Sequence, residues 1–251
     1  MKLHFIRAVL FLSFTLSTQW LTAQDSSSSP KEIWPEMDIY YRINERVRLY
    51  GMVSGTRTNS EYTDGTTGIY IDYFALPLLR GKMFTDLHDT TLGYYWWFRA
   101  GYSYSDAPRS DKKKVINIFE TETNNNFYLP QHITMTFRNR LDWRWVNGDF
   151  QPIYRPRVKF VRDFKTEYLT FDMYVWAEYF FYLNDNPQNR FRLTAGSEIK
   201  VSKNIDFEVY YLYQFQNKPS VEPLNAIGLQ LNFYFRSKRY RTHLEAAEKK
   251  P

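Results

Sequence analysis

The sequence predicts an all-β fold, a single antiparallel transmembrane β-barrel of about twelve strands, and three observations carry that expectation. Segments of alternating polarity follow one another with turn residues between them and no convincing helix. Aromatic residues make up 19% of the 251 residues, more than a soluble core of this size requires. The strand-like segments are also long for globular strands, which average about five or six residues, but they suit tilted crossings of a bilayer.

The first segment is not part of the barrel. Lys2 and Arg7 precede the apolar run Ala8 to Leu16, and Ala23 offers a small residue for cleavage, so residues 1–23 read as a signal peptide. That run is too short to cross a bilayer as a helix, and no later stretch approaches ~18 apolar residues. Residues 24–33, with Ser26 to Pro30, form an expected flexible leader; 34–235 are the barrel and 236–251 a basic C-terminal tail.

Strand segments are expected at 34–43, 46–57, 67–76, 91–105, 115–128, 131–146, 152–163, 168–182, 190–201, 204–216 and 224–235. Turn chemistry separates them at Asn44-Glu45, Asp64-Gly65, Asp106 to Ser110, Asn147-Gly148, Asn184 to Pro187 and Ser202 to Asn204. That count is odd, whereas single-chain bacterial barrels have even numbers. Twelve strands are therefore expected, with ten as the alternative; the weak places are Pro77 to Thr90 and Thr121 to Asn126.

Alternation in the second half assigns faces. Ile133, Met135, Phe137, Leu141, Trp143 and Trp145 oppose Thr134, Thr136, Arg138, Arg140, Asp142 and Arg144. Val158 and Phe160 oppose Arg155, Arg157 and Lys159; Phe171, Met173, Val175 and Ala177 oppose Asp172, Tyr174, Trp176 and Glu178. The same holds for Glu198 among Leu193, Ala195 and Ile199, and for Asp206 and Glu208 among Phe207, Val209 and Tyr211. A soluble barrel would turn the aromatics inward, a membrane barrel the charges. Strand length, a lumen wide enough for polar groups and a Tyr- and Trp-rich apolar face favour the membrane.

The charged face is the candidate site. Arg138, Arg140, Arg144, Arg155, Arg157 and Lys159 lie on adjacent strands and form one wall, with Asp142 among them. Asp172, Glu178, Glu198, Asp206 and Glu208 follow and are expected to form the opposing wall. With water between the walls the barrel is a pore for small polar or charged solutes; with the walls in contact it is a closed structural or envelope-interaction barrel.

Other chemistries find little support. The absence of cysteine removes disulfide scaffolds, thiolate metal sites and thiol nucleophiles. After the signal peptide only His88, His132 and His243 remain, without ligand spacing, so neither metal nor cofactor is expected. A lipid-modifying enzyme using His132 ranks third. Glu120 and Glu122, two apart on one face, are expected to pair with arginines. The formal charge of +6 comes from Lys2, Arg7 and the tail, where Arg236, Lys238, Arg239, Arg241, Lys249 and Lys250 outweigh Glu245 and Glu248. The neutral segment between argues against nucleic acid as a partner.

The last segment sets Ile227, Leu229, Leu231, Phe233 and Phe235 on one face, against Gly228, Gln230 and Asn232. It resembles the C-terminal strand that barrel-assembly machinery reads, although 16 residues follow Phe235. Phe137 to Phe150, Tyr154-Arg-Pro-Arg157, Ala177-Glu-Tyr-Phe180 and Tyr210 to Gln214 resemble the outer-membrane barrels catalogued as domain of unknown function 2490. That resemblance, from about Trp34 to Phe235, implies an antiparallel barrel among outer-membrane lipids, and it supplies no catalytic residues and no substrate.

Overall fold

The computed structural model describes residues 31–58, 61–77, 91–106, 114–184, 189–216 and 223–238. Residues 1–23, expected to be a signal peptide, His88, His243 and the tail beyond Lys238 lie outside them. Twelve strands form: β1 (Lys31–Arg42), β2 (Val47–Thr58), β3 (Glu61–Pro77), β4 (Tyr94–Asp106), β5 (Val115–Leu129), β6 (Ile133–Val146), β7 (Asp149–Phe150), β8 (Ile153–Lys165), β9 (Thr170–Tyr182), β10 (Arg190–Lys200), β11 (Ile205–Gln216) and β12 (Leu224–Arg236). A 3-10 turn, Thr91–Gly93, precedes β4.

Eleven of these strands make a closed barrel, and β7 lies outside it, paired only with the end of β6. The expected even number is therefore wrong. An odd number of up-and-down strands leaves the first and last pointing the same way, so β1 and β12 must close in parallel. They do so from Lys31↔Asn225 to Arg42↔Arg236, while every other pair is antiparallel.

Local sequence explains most strand ends. Asn147 (φ 51) and Gly148 (φ 96) sit in the left-handed region that a two-residue hairpin turn needs. Gln131 and His132, at φ 64 and 60, turn the chain between β5 and β6, so His132 lies in the turn and does not begin the strand. Asn44 accepts hydrogen bonds through Oδ1 from the backbone N–H of Arg46 and Val47, closing the first hairpin. Two expectations fail here: Asp64-Gly65 lies inside β3, with Gly65 opposite Gly55, and β1 begins at Lys31, inside the expected leader.

The apolar face is the outer one. Ile69, Val53, Met173 and Val175 are more than half exposed, whereas Asp72, Glu120, Asn126 and Asp206 are buried to within 1%. Along β9 the outer face reads Phe171, Met173, Val175, Ala177, Tyr179, Phe181, with aromatics at both ends and aliphatics between. Along β6 it ends in Trp143 and Trp145, against which Phe150 of β7 packs. The hairpin tip thus extends one aromatic end of the wall.

The two rims differ in their connections. At the rim where β12 ends, residues 43–46, 130–132, 166–169 and 201–204 make short turns, while β3 and β4 are joined there by the longer connection of residues 78–93. At the rim where β1 begins, the connections of residues 107–114, 183–189 and 217–223 are longer than those four turns, while only residues 59–60 separate β2 from β3. At about 4.8 Å between strands and a tilt of about 40°, eleven strands enclose a backbone cylinder roughly 22 Å across.

Candidate functional site

The interior is lined by alternate residues of all eleven barrel strands, and its charges divide into two groups. The first is built on β5, β6, β8, β9 and β10. Register places Arg138 opposite Arg157 and Arg140 opposite Arg155. Glu122 lies opposite Arg140 and Glu120 opposite Asp142 on the other side of β6.

Carboxylates interleave with these arginines. Arg140 reaches Glu120 at 2.7 Å and Asp142 at 2.6 Å, and Arg155 bridges Asp142 at 3.0 Å to Glu178 at 3.0 Å. Arg138 pairs with Glu178 and stands 3.5 Å from Glu122. Arg192 adds a longer contact to Glu178, at 3.9 Å. Glu178 is thus the hub, receiving guanidinium groups from three other strands while remaining 1% exposed. Such a pair is favourable only when both partners are hydrogen-bonded, and here the lattice of forks supplies most of those bonds, with Arg138 Nε buried and unpaired among the described residues.

The expected opposing acidic wall is corrected on this point. Glu178 belongs to the arginine group, because β9 is only two strands from β6 and an arginine side chain spans that distance along a curved wall. Asp172 instead accepts from the Glu198 backbone N–H at 3.1 Å, and Glu198 accepts from Asn232 at 3.1 Å and Tyr234 at 3.2 Å. Glu208 accepts from the Tyr174 hydroxyl, and Asp206 is fully buried. Arg144, Arg157 and Lys159 also stand apart from the carboxylate lattice: Arg157 lies over Trp176 and Lys159 over Tyr174, with the latter ammonium 4.1 Å from the ring centre.

The second group, on β12 and β1 to β4, was not legible in sequence. Asp72 is fully buried between Arg48 and Arg99, each at 2.7 Å. Asp38 accepts from Tyr40, Tyr50 and Gln230. Four tyrosines stack across the parallel seam in one lateral row: Tyr234 on Tyr40 at 4.9 Å, Tyr40 on Tyr50 at 4.8 Å and Tyr50 on Tyr70 at 5.0 Å.

That row ends at Gly101, where a Cβ would lie 2.2 Å from the Tyr70 ring. A second row alternates glycine with tyrosine over four strands, Gly228, Tyr210, Gly196 and Tyr174. Each missing side chain lets the neighbouring phenol lie flat on the wall. The signal that would have found these rows is glycine on the polar face of a strand.

The model of a family described as Protein of unknown function (DUF2490) matches residues 31–225. The chain belongs to that family. The family match takes in the arginine lattice, β1 and all of β11, and it stops at the start of β12. Among solved structures, the β-domain of the Bordetella autotransporter BrkA is similar at 13% identity, over 74% of this chain and 78% of that one, with a TM-score of 0.39. No curated protein matches.

Proposed function

We propose that this DUF2490 member is an outer-membrane barrel whose interior is closed, acting as a structural or envelope-interaction protein and not as an open pore. The observation that carries this reading is the burial of the interior carboxylates. Glu120 and Glu178 are 1% exposed, Asp142 is 2% exposed and Asp206 is inaccessible. A water-filled channel of solute size would leave such groups in contact with water.

The membrane assignment is supported by the inverted polarity of the wall, by aromatics at both ends of the outer face and by the export signal read in residues 1–23. Ion pairs of this density then take the place of a hydrophobic core. Outer-membrane lipids cover the apolar face, and the assembly machinery reads β12, whose outward Leu229, Leu231 and Phe235 are 39–44% exposed. This reading needs no cofactor, metal or nucleic acid and gives His132, hydrogen-bonded to Tyr128 at 3.0 Å, a place in a turn and no catalytic role.

The competing reading is a pore whose filter is the arginine wall. Planar-bilayer conductance of residues 24–251, alongside the Arg138→Ser/Arg140→Ser variant, separates the two. The closed reading expects a silent wild-type barrel. Stepwise wild-type conductance, with ion selectivity altered in the variant, would establish the pore instead.

A further inference from the structure

Resting on the membrane reading above, the outer surface poses a problem at β4 to β6. On β9, β11 and β12 the mid-strand outer positions are Met173, Val175, Val209, Leu229 and Leu231. On β5 the buried inner residues Glu120, Glu122, Asn124 and Asn126 alternate with Thr121, Thr123 and Asn125, so an amide and two hydroxyls face outward at mid-height. Asn117 lies on the same face nearer one end, and Asn139 lies directly beside Thr123 on β6.

Some of these groups are satisfied locally. The Trp96 indole donates to Thr123 Oγ1 at 2.8 Å, Tyr102 donates to Asn117 Oδ1 at 2.5 Å and Tyr154 donates to Asn139 Oδ1 at 2.5 Å. The carboxamide N–H groups of Asn117 and Asn139, and the whole carboxamide of Asn125, have no partner among the described residues. Hydrocarbon can supply none. Flanking Ala100, opposite Thr121, leaves the wall shallow there, as close packing of two surfaces requires.

We propose that this face is the interface of a two-fold dimer, its occupant a second copy of the same chain. The argument is one of complementarity: a stripe of neutral amides and hydroxyls, each both donor and acceptor, can satisfy itself across a two-fold axis along the membrane normal, and it carries no charge to repel its copy. Large aromatics at the margins, Trp96, Tyr102, Phe119, Phe137 and Trp143, are each 37–45% exposed and supply the apolar area of the contact.

The chain has no cysteine, so single-cysteine cross-linking is unambiguous. The full-length protein is produced in membranes with Thr123→Cys, or with Val209→Cys on the far side of the barrel as the control, and oxidised. We expect a disulfide dimer at least tenfold more abundant for Thr123→Cys. In nanodiscs, the dimer should be lost from the Thr121→Val/Asn139→Leu variant while heat-modifiable mobility is kept. Equal cross-linking at both positions, a wild-type monomer in nanodiscs, or a product containing a different protein overturns the dimer. A chain extracted from membranes by carbonate overturns the membrane reading itself, a result distinct from failure of the dimer alone.

Discussion

Glu178 draws Arg138, Arg155 and Arg192 toward one buried carboxylate, so its charge, not its size, is what the site depends on. Glu178→Gln keeps the shape but takes from Arg192 its carboxylate and leaves Arg138 and Arg155 with one each, Glu122 and Asp142, which should cost about 3–5 kcal/mol, read as a lowered urea midpoint of the refolded barrel. Gly228 makes a steric prediction of a different kind. A Cβ there would sit 1.9 Å from Tyr210 Cζ, so Gly228→Ala forces the ring off the wall. A loss of about 1–3 kcal/mol is expected, partly restored by Tyr210→Leu, with heat-modifiability as the measure. Sequence showed Glu178 and Gly228 on the polar face but not these relationships. Which arginine meets which carboxylate depends on register between strands, and a ring that fills a glycine's place belongs to the neighbouring strand.

At the scale of the strand, alternation was a reliable guide wherever polar and apolar residues differ sharply, as from β6 to β12. Near the start of the chain it failed to mark the interior, because Tyr40, Tyr50 and Tyr70 line it and tyrosine occurs on both faces. Turn chemistry was less reliable. Asp64-Gly65 is strand, since a glycine opposite another glycine at a strand end costs the ladder little, and Pro156 sits within β8. Pro156 lacks an N–H, and the β8–β9 pairing passes from Tyr154↔Phe181 to Arg157↔Glu178 with no pair between. The parallel closure is directly testable. Met37 and Leu231 are register partners on the outer face, so Met37→Cys/Leu231→Cys should form an intramolecular disulfide on oxidation and change unreduced mobility. No cross-link in a folded barrel would mean that another strand pairs with β12.

At the scale of the molecule, the proposed membrane location assigns the rims to sides: four of the five connections where β12 ends are short turns, residues 78–93 being the exception. Short turns mark the periplasmic side of outer-membrane barrels and longer loops the outer side. An impermeant maleimide should therefore label Lys114→Cys in intact cells and spare Lys203→Cys until the outer membrane is opened. Labelling in the reverse order would invert the orientation, and equal labelling would break the membrane frame. The seam between β1 and β12 also has a kinetic consequence. Hairpins such as β5–β6 need only local chain closure, but Ser237 donates to the Ile43 carbonyl across 194 residues of sequence. Loop-closure entropy places so distant a contact late in folding. Until the ends meet, β1 and β12 are open sheet edges, each able to pair with another chain. Closure is thus the step at which this barrel is most exposed to mispairing, and a chaperone holding β12 would act where the chain is slowest to protect itself.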